Sequence, residues 1–436
     1  MAHTFKGGIH PDDKKSATSG KAIELLPAPA QVVLPMSMHI GRPCEPIVKV
    51  GDHVYLGQKI ADAQAPVCAP IHASVSGTVV AVEPRPYSFG TSIMSVVIEN
   101  DFKDTIHESV KPNKSLEELT PAEIIDIVKN AGIVGMGGAG FPTYVKLNPG
   151  KPIDAVLVNA CECEPYITSD TRMMVDHTDL VVKGVHLLHK WMNAKKVVIC
   201  IEDNKPDAVA LLQNKVADMA GIEVCVAKTK YPQGAEKMII QSATGRKMPP
   251  GKLPSDVGCI VMNITSVATL FRYITTGIPL TTKRITVDGN AVGEPKNLIV
   301  PIGTPISYIL ENCNVDNPEK VLLGGPMMGT ALVNTDVPII KSYNAVLAFS
   351  KGTIPEKPDN NCIRCGRCSQ VCPMGLMPTN IMRSVKARDF DGLKQSNVIA
   401  CMQCGTCAYA CPAGRPLVQY VVLAKDMLRE EGAKNG

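Results

Sequence analysis

Apolar and polar positions change rhythm several times along this chain. After an N-terminal arm (residues 1–30), residues 31–101 carry short alternating apolar runs broken by glycine. Val48-Lys49-Val50-Gly51-Asp52-His53-Val54 and Ser76-Gly77-Thr78-Val79-Val80 are representative, and the pattern predicts a small β-sandwich. From 115 to 280 the rhythm is different. Continuous apolar runs at Asp154–Asn159, Lys196–Ile201, Ile222–Ala227 and Gly258–Met262 alternate with helical patterns at Pro121–Ala131, Pro206–Met219 and Val267–Thr276. Strands alternating with helices imply a mostly parallel, Rossmann-like sheet. Residues 281–345 return to short β patterns, with Asp288-Gly289 as a hairpin signal. A linker over Ser350–Asp359 leads into residues 355–436, where Leu376, Ile381, Met382 and Val385 recur at near-helical spacing. The expected fold is therefore multidomain α/β, closed by a helical C-terminal domain.

Composition narrows the function. Lys plus Arg is 45 and Asp plus Glu is 41, so the net charge is only +4, which argues against an electrostatic nucleic-acid binder. No run approaches the ~18 apolar residues of a membrane span, and the N-terminus lacks the apolar core of a signal peptide. The expectation is a soluble or peripheral protein of the cytoplasm.

Sixteen cysteines are many for such a chain, and eight of them lie between Cys362 and Cys411. They read twice as C-x2-C-x2-C-x3-C-P: Cys362, Cys365, Cys368, Cys372, and then Cys401, Cys404, Cys407, Cys411. This is the run that holds [4Fe–4S] clusters. Three thiolates on one tight turn cap three irons, and the cysteine before proline points away. Cluster one is assigned to Cys362, Cys365, Cys368 and Cys411, and cluster two to Cys401, Cys404, Cys407 and Cys372. Zinc fits poorly, because its sites pair two CxxC units around one tetrahedron.

Paired clusters move single electrons, whereas nicotinamide carries hydride, so a flavin is expected upstream. Gly135-Met136-Gly137-Gly138-Ala139-Gly140-Phe141-Pro142-Thr143 has four glycines in six positions, followed by a helix start and Lys146. Such a loop admits a phosphate close to its backbone. The motifs Gly-x-Gly-Gly-Ala-Gly-Phe-Pro-Thr-x-x-Lys, Asn-Ala-x-Glu-x-Glu-Pro (159–165) and Tyr-x-x-Gly-x-Glu (231–236) resemble the flavin- and NADH-binding subunit of respiratory complex I. From Phe5-Lys6-Gly7-Gly8-Ile9-His10-Pro11 to the twin cysteine runs, the chain is similar to the RnfC family, the NADH-side subunits of Rnf ferredoxin:NAD oxidoreductases.

The resemblance implies FMN held by Gly135, Gly137, Gly138, Gly140 and Lys146. Asn159, Glu162, Cys163, Gly234, Glu236 and Asn263 would line the pocket, and Phe141, Glu164 and Tyr231 would face NAD(H). Met136 stands where complex I commonly has arginine, and Cys161 and Ala235 replace acidic residues, which leaves the dinucleotide contacts less defined than those to FMN. The resemblance also implies a β-grasp module at 281–345. Its implied partners are other Rnf subunits, including a ferredoxin-like cluster subunit, and ferredoxin indirectly. The implied location is the cytoplasmic face of the cell membrane, as a peripheral subunit coupled to Na+ or H+ transport. A soluble cobalamin reductase and a non-catalytic cluster-bearing carrier are the rival readings.

Residues 31–101 resemble the lipoyl/biotinyl carrier fold. Ile60–Gly77 contains no lysine, so no attached cofactor is expected there. Cys161 and Cys163 read as buried thiols beside the flavin. Cys44, Cys68, Cys200, Cys225, Cys259 and Cys313 read as small core residues, and His39, His53 and His72 as satisfied surface or core histidines.

Overall fold

The computed structural model describes residues 3–88, 90–113, 119–353 and 359–435. The boundaries expected at 115 and 355, and part of the linker over Ser350–Asp359, lie outside those residues.

The N-terminal arm is stitched to three later parts of the chain. Strand β1 (Ile23–Leu25) pairs in parallel with residues 297–299, and Ile9 bridges to Tyr231. Lys15 is buried, and its ammonium donates to the carbonyls of Glu162, Glu164 and Ile167.

Strands β2 (Gln31–Pro35), β3 (Glu45–Pro46), β4 (His53–Val54), β5 (Lys59–Asp62), β6 (Ile71–His72), β7 (Gly77–Pro86) and β8 (Ser92–Asn100) form two antiparallel sheets, β2-β8-β7-β4 and β3-β5-β6. Val32, Leu34, Val54, Val79, Val96 and Ile98 pack between them. Gly77 is required at the start of β7, because a Cβ there would lie 1.9 Å from the Glu99 carbonyl oxygen.

The central module opens with α1 (Pro121–Asn130), started by a Thr120–Glu123 capping box. Then come α2 (Thr143–Leu147), β9 (Ala155–Ala160), α3 (Ser169–Asp176), α4 (Thr178–Met192), β10 (Lys196–Glu202), α5 (Pro206–Val216), β11 (Ile222–Ala227), α6 (Glu236–Thr244), β12 (Cys259–Asn263) and α7 (Ile264–Thr276). The sheet order is β11-β10-β9-β12, with every pairing parallel. Chain direction across the sheet therefore reverses between β9 and β12, the place where open α/β sheets bind ligands.

A mixed sheet follows, in the order β1-β14-β13-β17-β15-β16. It is built from β13 (Thr282–Asp288), β14 (Lys296–Pro301), β15 (Lys320–Leu323), β16 (Thr330–Ala331) and β17 (Ala345–Phe349), with α8 (Ile306–Glu311) packed on it.

The C-terminal module is helical: α9 (Arg367–Gln370), α10 (Pro378–Ala387), α11 (Phe390–Gln395), α12 (Thr406–Tyr409) and α13 (Leu417–Asn435). Helix α10 buries Ile381, Met382 and Val385, the residues whose spacing predicts it. Among the described residues, no helix is long and apolar enough to cross a membrane.

Candidate functional site

The two cysteine runs fold alike. Arg364 and Gly366 precede α9 with left-handed backbone, and Gln403 and Gly405 precede α12 in the same way, thirty-nine residues later. These reversals turn each run back on itself, and in the second run Cys401, Cys404 and Cys407 line one cavity. The fourth thiol crosses over. Cys372 lines one cavity with Cys401, Cys404, Cys407, Leu376 and Ile381, while Cys411 packs with Cys362 and Cys368 in a cluster around Met382 and Leu417 that Cys407 also borders. Cys365 is exposed.

Backbone amides point at these sulfurs. Leu376 N donates to Cys372 Sγ at 3.3 Å and Gln403 N to Cys401 Sγ at 3.4 Å. Burial pushes the Cys401, Cys404 and Cys407 thiols up, Cys407 to about 12. Three thiols raised by burial around one cavity are costly to ionise without a cation, and a bound iron cluster supplies that charge.

The Gly-rich loop lies beside the topological reversal. Ser266 Oγ, on the first turn of α7, accepts from Met136 N and donates to Val134 O. Gly137 N donates to Ser342 O at 2.8 Å, so the loop also leans on the mixed sheet module. Gly137, Gly138 and Ala139 are exposed at its tip, and a Cβ built at Gly138 meets nothing within 4 Å. Helix α2 has only five residues, so the helix-end dipole expected after Pro142 is short. Lys146 pairs with Glu236 at 3.3 Å and donates to Val261 O.

Asn159 and Asn263 are register partners at the carboxyl ends of β9 and β12. Asn159 Nδ2 donates to Gly234 O at 2.9 Å, and Gly234 N donates to Cys163 Sγ at 3.2 Å. Asn263 caps α7 through Ser266 N and donates to Asp170. These residues therefore meet at the carboxyl end of the sheet, beside the reversal. Gly135 and Gly140 sit at the base of the loop, where Gly135 N bonds Phe141 O.

Glu162 is committed elsewhere. Its carboxylate accepts from Asp170 N, Thr171 N and Thr171 Oγ1, satisfying the start of α3. Burial raises the Glu162 carboxyl, and Lys15 opposes that shift. Asp170, Lys283, Glu202 and Lys205 complete a buried charged cluster behind this end of the sheet that sequence reasoning missed. Its partners are distant in sequence, so no local motif announces them.

Tyr231 and Glu164 join this end of the sheet to the cysteine module. Tyr231 Oη donates to Cys404 O at 2.8 Å and lies 3.4 Å from Glu164, whose other oxygen accepts from Met327 N. Both are engaged at this junction rather than lining an open groove, and Tyr231 is 2% exposed. Phe141 remains on the Gly-rich loop, half-buried.

Three family models match. Residues 3–103 match an RnfC barrel sandwich hybrid domain, 128–272 a Nuo51 FMN-binding domain and 354–413 a 4Fe-4S dicluster domain. A subunit of the Na(+)-translocating ferredoxin:NAD(+) oxidoreductase complex of Acetobacterium woodii is 44% identical over 426 residues, covering 97% of this chain and 96% of the relative. The chain belongs to the RnfC family. Its counterpart in the proton-translocating ferredoxin:NAD(+) oxidoreductase complex of Clostridium ljungdahlii is 42% identical, covering 100% of this chain and 96% of that relative. In fold, the chain is similar to an NAD+-reducing [NiFe]-hydrogenase (TM-score 0.51, 16% identity, covering 71% of this chain and 66% of that one).

In this RnfC-family chain the junction residues have measurable consequences. Tyr231→Phe leaves the Cys404 carbonyl without its partner and is expected to cost about 1–3 kcal/mol, read as a lower thermal midpoint. Burial, opposed by the Met327 and Met328 amides and by Tyr231, raises the Glu164 carboxyl to about 7. Its folded pKa exceeds the unfolded one, so the folded state holds the extra proton between the two. The stability this gives is complete at acid pH and is lost as pH climbs through about 7. Lys283, lowered by burial to about 7, acts with the opposite sign, so the informative quantity is a difference. Glu164→Gln should gain in thermal midpoint relative to the parent as pH rises from about 5 to about 8. A constant difference across that range contradicts the assignment.

Proposed function

We propose that this chain exchanges hydride between NAD(H) and a bound FMN and passes electrons singly through two [4Fe–4S] clusters, as the NAD-side subunit of a membrane ferredoxin:NAD oxidoreductase coupled to Na+ or H+ transport. The observation that carries this reading is the junction at Tyr231, which lies three residues before Gly234, the partner of Asn159 at the sheet reversal, and whose hydroxyl donates to Cys404 of the four-cysteine cavity.

The residues fit their groups. The open space at Gly138 and the exposed loop tip suit the FMN phosphate, with Gly135, Gly137 and Gly140 shaping the turn and Lys146 supplying positive charge beside it. Asn159, Cys163, Gly234, Glu236 and Asn263 would orient the ring. Glu162 contributes by fixing α3 and the backbone of 162–164. When bound, the flavin supplies hydride and single-electron chemistry and the clusters supply one-electron relay.

The chain's own residues position those groups and keep water from them. Met327, Ile9, Tyr231 and Cys404 pack together between that end of the sheet and the cysteine cavity. The Cys401 run with Cys372 is thus the one next to the flavin. The Cys362 run, with exposed Cys365, faces outward and suits exchange with a partner subunit. Phe141, on the loop, is the residue best placed for the dinucleotide. Glu164 and Tyr231 would act on it indirectly, through the junction they hold.

The mixed sheet at 281–345, read as the β-grasp module, is completed by β1 and β17 and braces the Gly-rich loop through Ser342. Attachment on the cytoplasmic face of the membrane follows from this reading. One test is to purify the chain anaerobically, denature it and identify the released flavin. About one FMN per chain is expected; a flavin-free chain after reconstitution with FMN supports the electron-carrier alternative instead.

A further inference from the structure

The barrel-sandwich module contains a side-chain cluster that electron transfer does not use. His39 follows β2, Cys44 precedes β3 and Cys68 precedes β6. Cys44 Sγ lies 3.5 Å from Cys68 Sγ and 3.7 Å from His39 Nε2, and Cys68 Sγ lies 3.8 Å from the same nitrogen. Tetrahedral zinc, with bonds of about 2.3 Å to sulfur and about 2.0–2.1 Å to nitrogen, separates its sulfurs by roughly 3.8 Å and sulfur from nitrogen by roughly 3.5 Å. The three separations here describe three corners of that tetrahedron. We propose that His39, Cys44 and Cys68 form a zinc site with three protein ligands.

Two further features prepare it. His39 Nδ1 lies 3.1 Å from Ile40 O, which fixes the proton on Nδ1 and leaves the Nε2 lone pair facing the thiols. The two loops are also brought together by their backbones. Gly41 has φ +123°, a Cβ on it would lie 2.2 Å from Val67 O, and Arg42 N donates to that same carbonyl at 3.0 Å. Both thiols are buried and the imidazole is half-exposed, so an ion reaches the site past His39.

Metal entry has a stated cost. Ala69 N donates to His39 Nε2 at 3.1 Å, and Cys44 donates to Ala69 O at 3.3 Å. Both bonds give way as the ion takes the nitrogen lone pair and displaces two thiol protons to solvent. The dication then balances two thiolates, and solvent takes the fourth corner.

The site adjoins the flavin loop. Ile40 N donates to Gly140 O, and a Cβ on Gly140 would lie 3.5 Å from His39 Cα. Zinc at this position ties the barrel-sandwich to the Gly-rich loop.

The test uses the full chain, purified anaerobically, loaded with zinc and dialysed against a weak chelator. Elemental analysis should find about one zinc beyond the cluster iron. Cys44→Ser with Cys68→Ser should lose it while iron and flavin stay unchanged, and His39→Gln should weaken zinc binding by more than about tenfold. X-ray absorption at the zinc edge of the unmodified chain gives an answer that does not depend on any variant folding. One nitrogen and two sulfurs are expected. Four sulfurs would place the zinc on cluster cysteines and overturn the proposal, as would zinc retained by the double variant. A Cys44–Cys68 disulfide in the anaerobic protein, revealed by thiols that alkylate only after reduction, also overturns it.

Discussion

Cys365→Ser should leave the chain with about four irons, and adding Cys372→Ser should take it to near zero. The second loss is the informative one. If each run held its own cluster, Cys365 and Cys372 would serve the same cube, and the double variant would keep the four irons of the other. The structure places Cys372 in the cavity of Cys401, Cys404 and Cys407, and packs Cys411 with Cys362 and Cys368. The two substitutions therefore strike different clusters. Cys365→Ser with Cys411→Ser is the matching control, because both fall on one cluster and about four irons should remain. Iron and acid-labile sulfide, measured on anaerobic protein, decide between the arrangements.

Gly138→Val should abolish flavin binding, by more than about a hundredfold, while changing stability by no more than about 0.5 kcal/mol. Most glycines in such a loop are poor tests, because substitution strains the backbone. Gly137 and Gly140 have φ +75° and +67°, and a Cβ on Gly137 would lie 2.8 Å from Asn344. Gly138 has neither problem: its φ is not positive, and a Cβ there meets open space. A valine at this position occupies only the volume assigned to the cofactor. Thermal melting of the flavin-free forms checks the fold, and titration with FMN checks the site. Undiminished affinity would move the flavin away from this loop.

The sequence made some of this visible and hid the rest for physical reasons. Strands β9, β10 and β12 are buried on both faces, so they read as nearly continuous apolar runs, while the edge strand β11 keeps one exposed position, Glu223, within its apolar run. The cysteine runs were readable because each cluster turn needs a fixed local spacing, and the pre-proline cysteine signals the exchange. Helix α4 is legible too, because Val181, Val185 and Leu188 recur at helical spacing and are buried.

Other features have no local signature. β1 completes a sheet whose neighbouring strand lies some 270 residues later. Lys15 is buried against carbonyls about 150 residues away, so nothing nearby marks it as other than a surface lysine. Glu162 sits in a motif that suggests a ligand, but the unsatisfied amides of α3 claim its carboxylate. His39, Cys44 and Cys68 each look like ordinary residues of a β-sandwich until two loops fold together.

The account depends on a dinucleotide-driven flavin wired to the Cys401 cluster across the Tyr231 junction. The direct measurement is an anaerobic NADH titration of the reconstituted chain, followed by visible absorbance and by electron paramagnetic resonance. Bleaching of the flavin together with a reduced-cluster signal, the latter lost in the Cys372→Ser chain, is the result this wiring requires. If NADH leaves both flavin and clusters oxidised while a strong chemical reductant reduces them, the central claim is wrong.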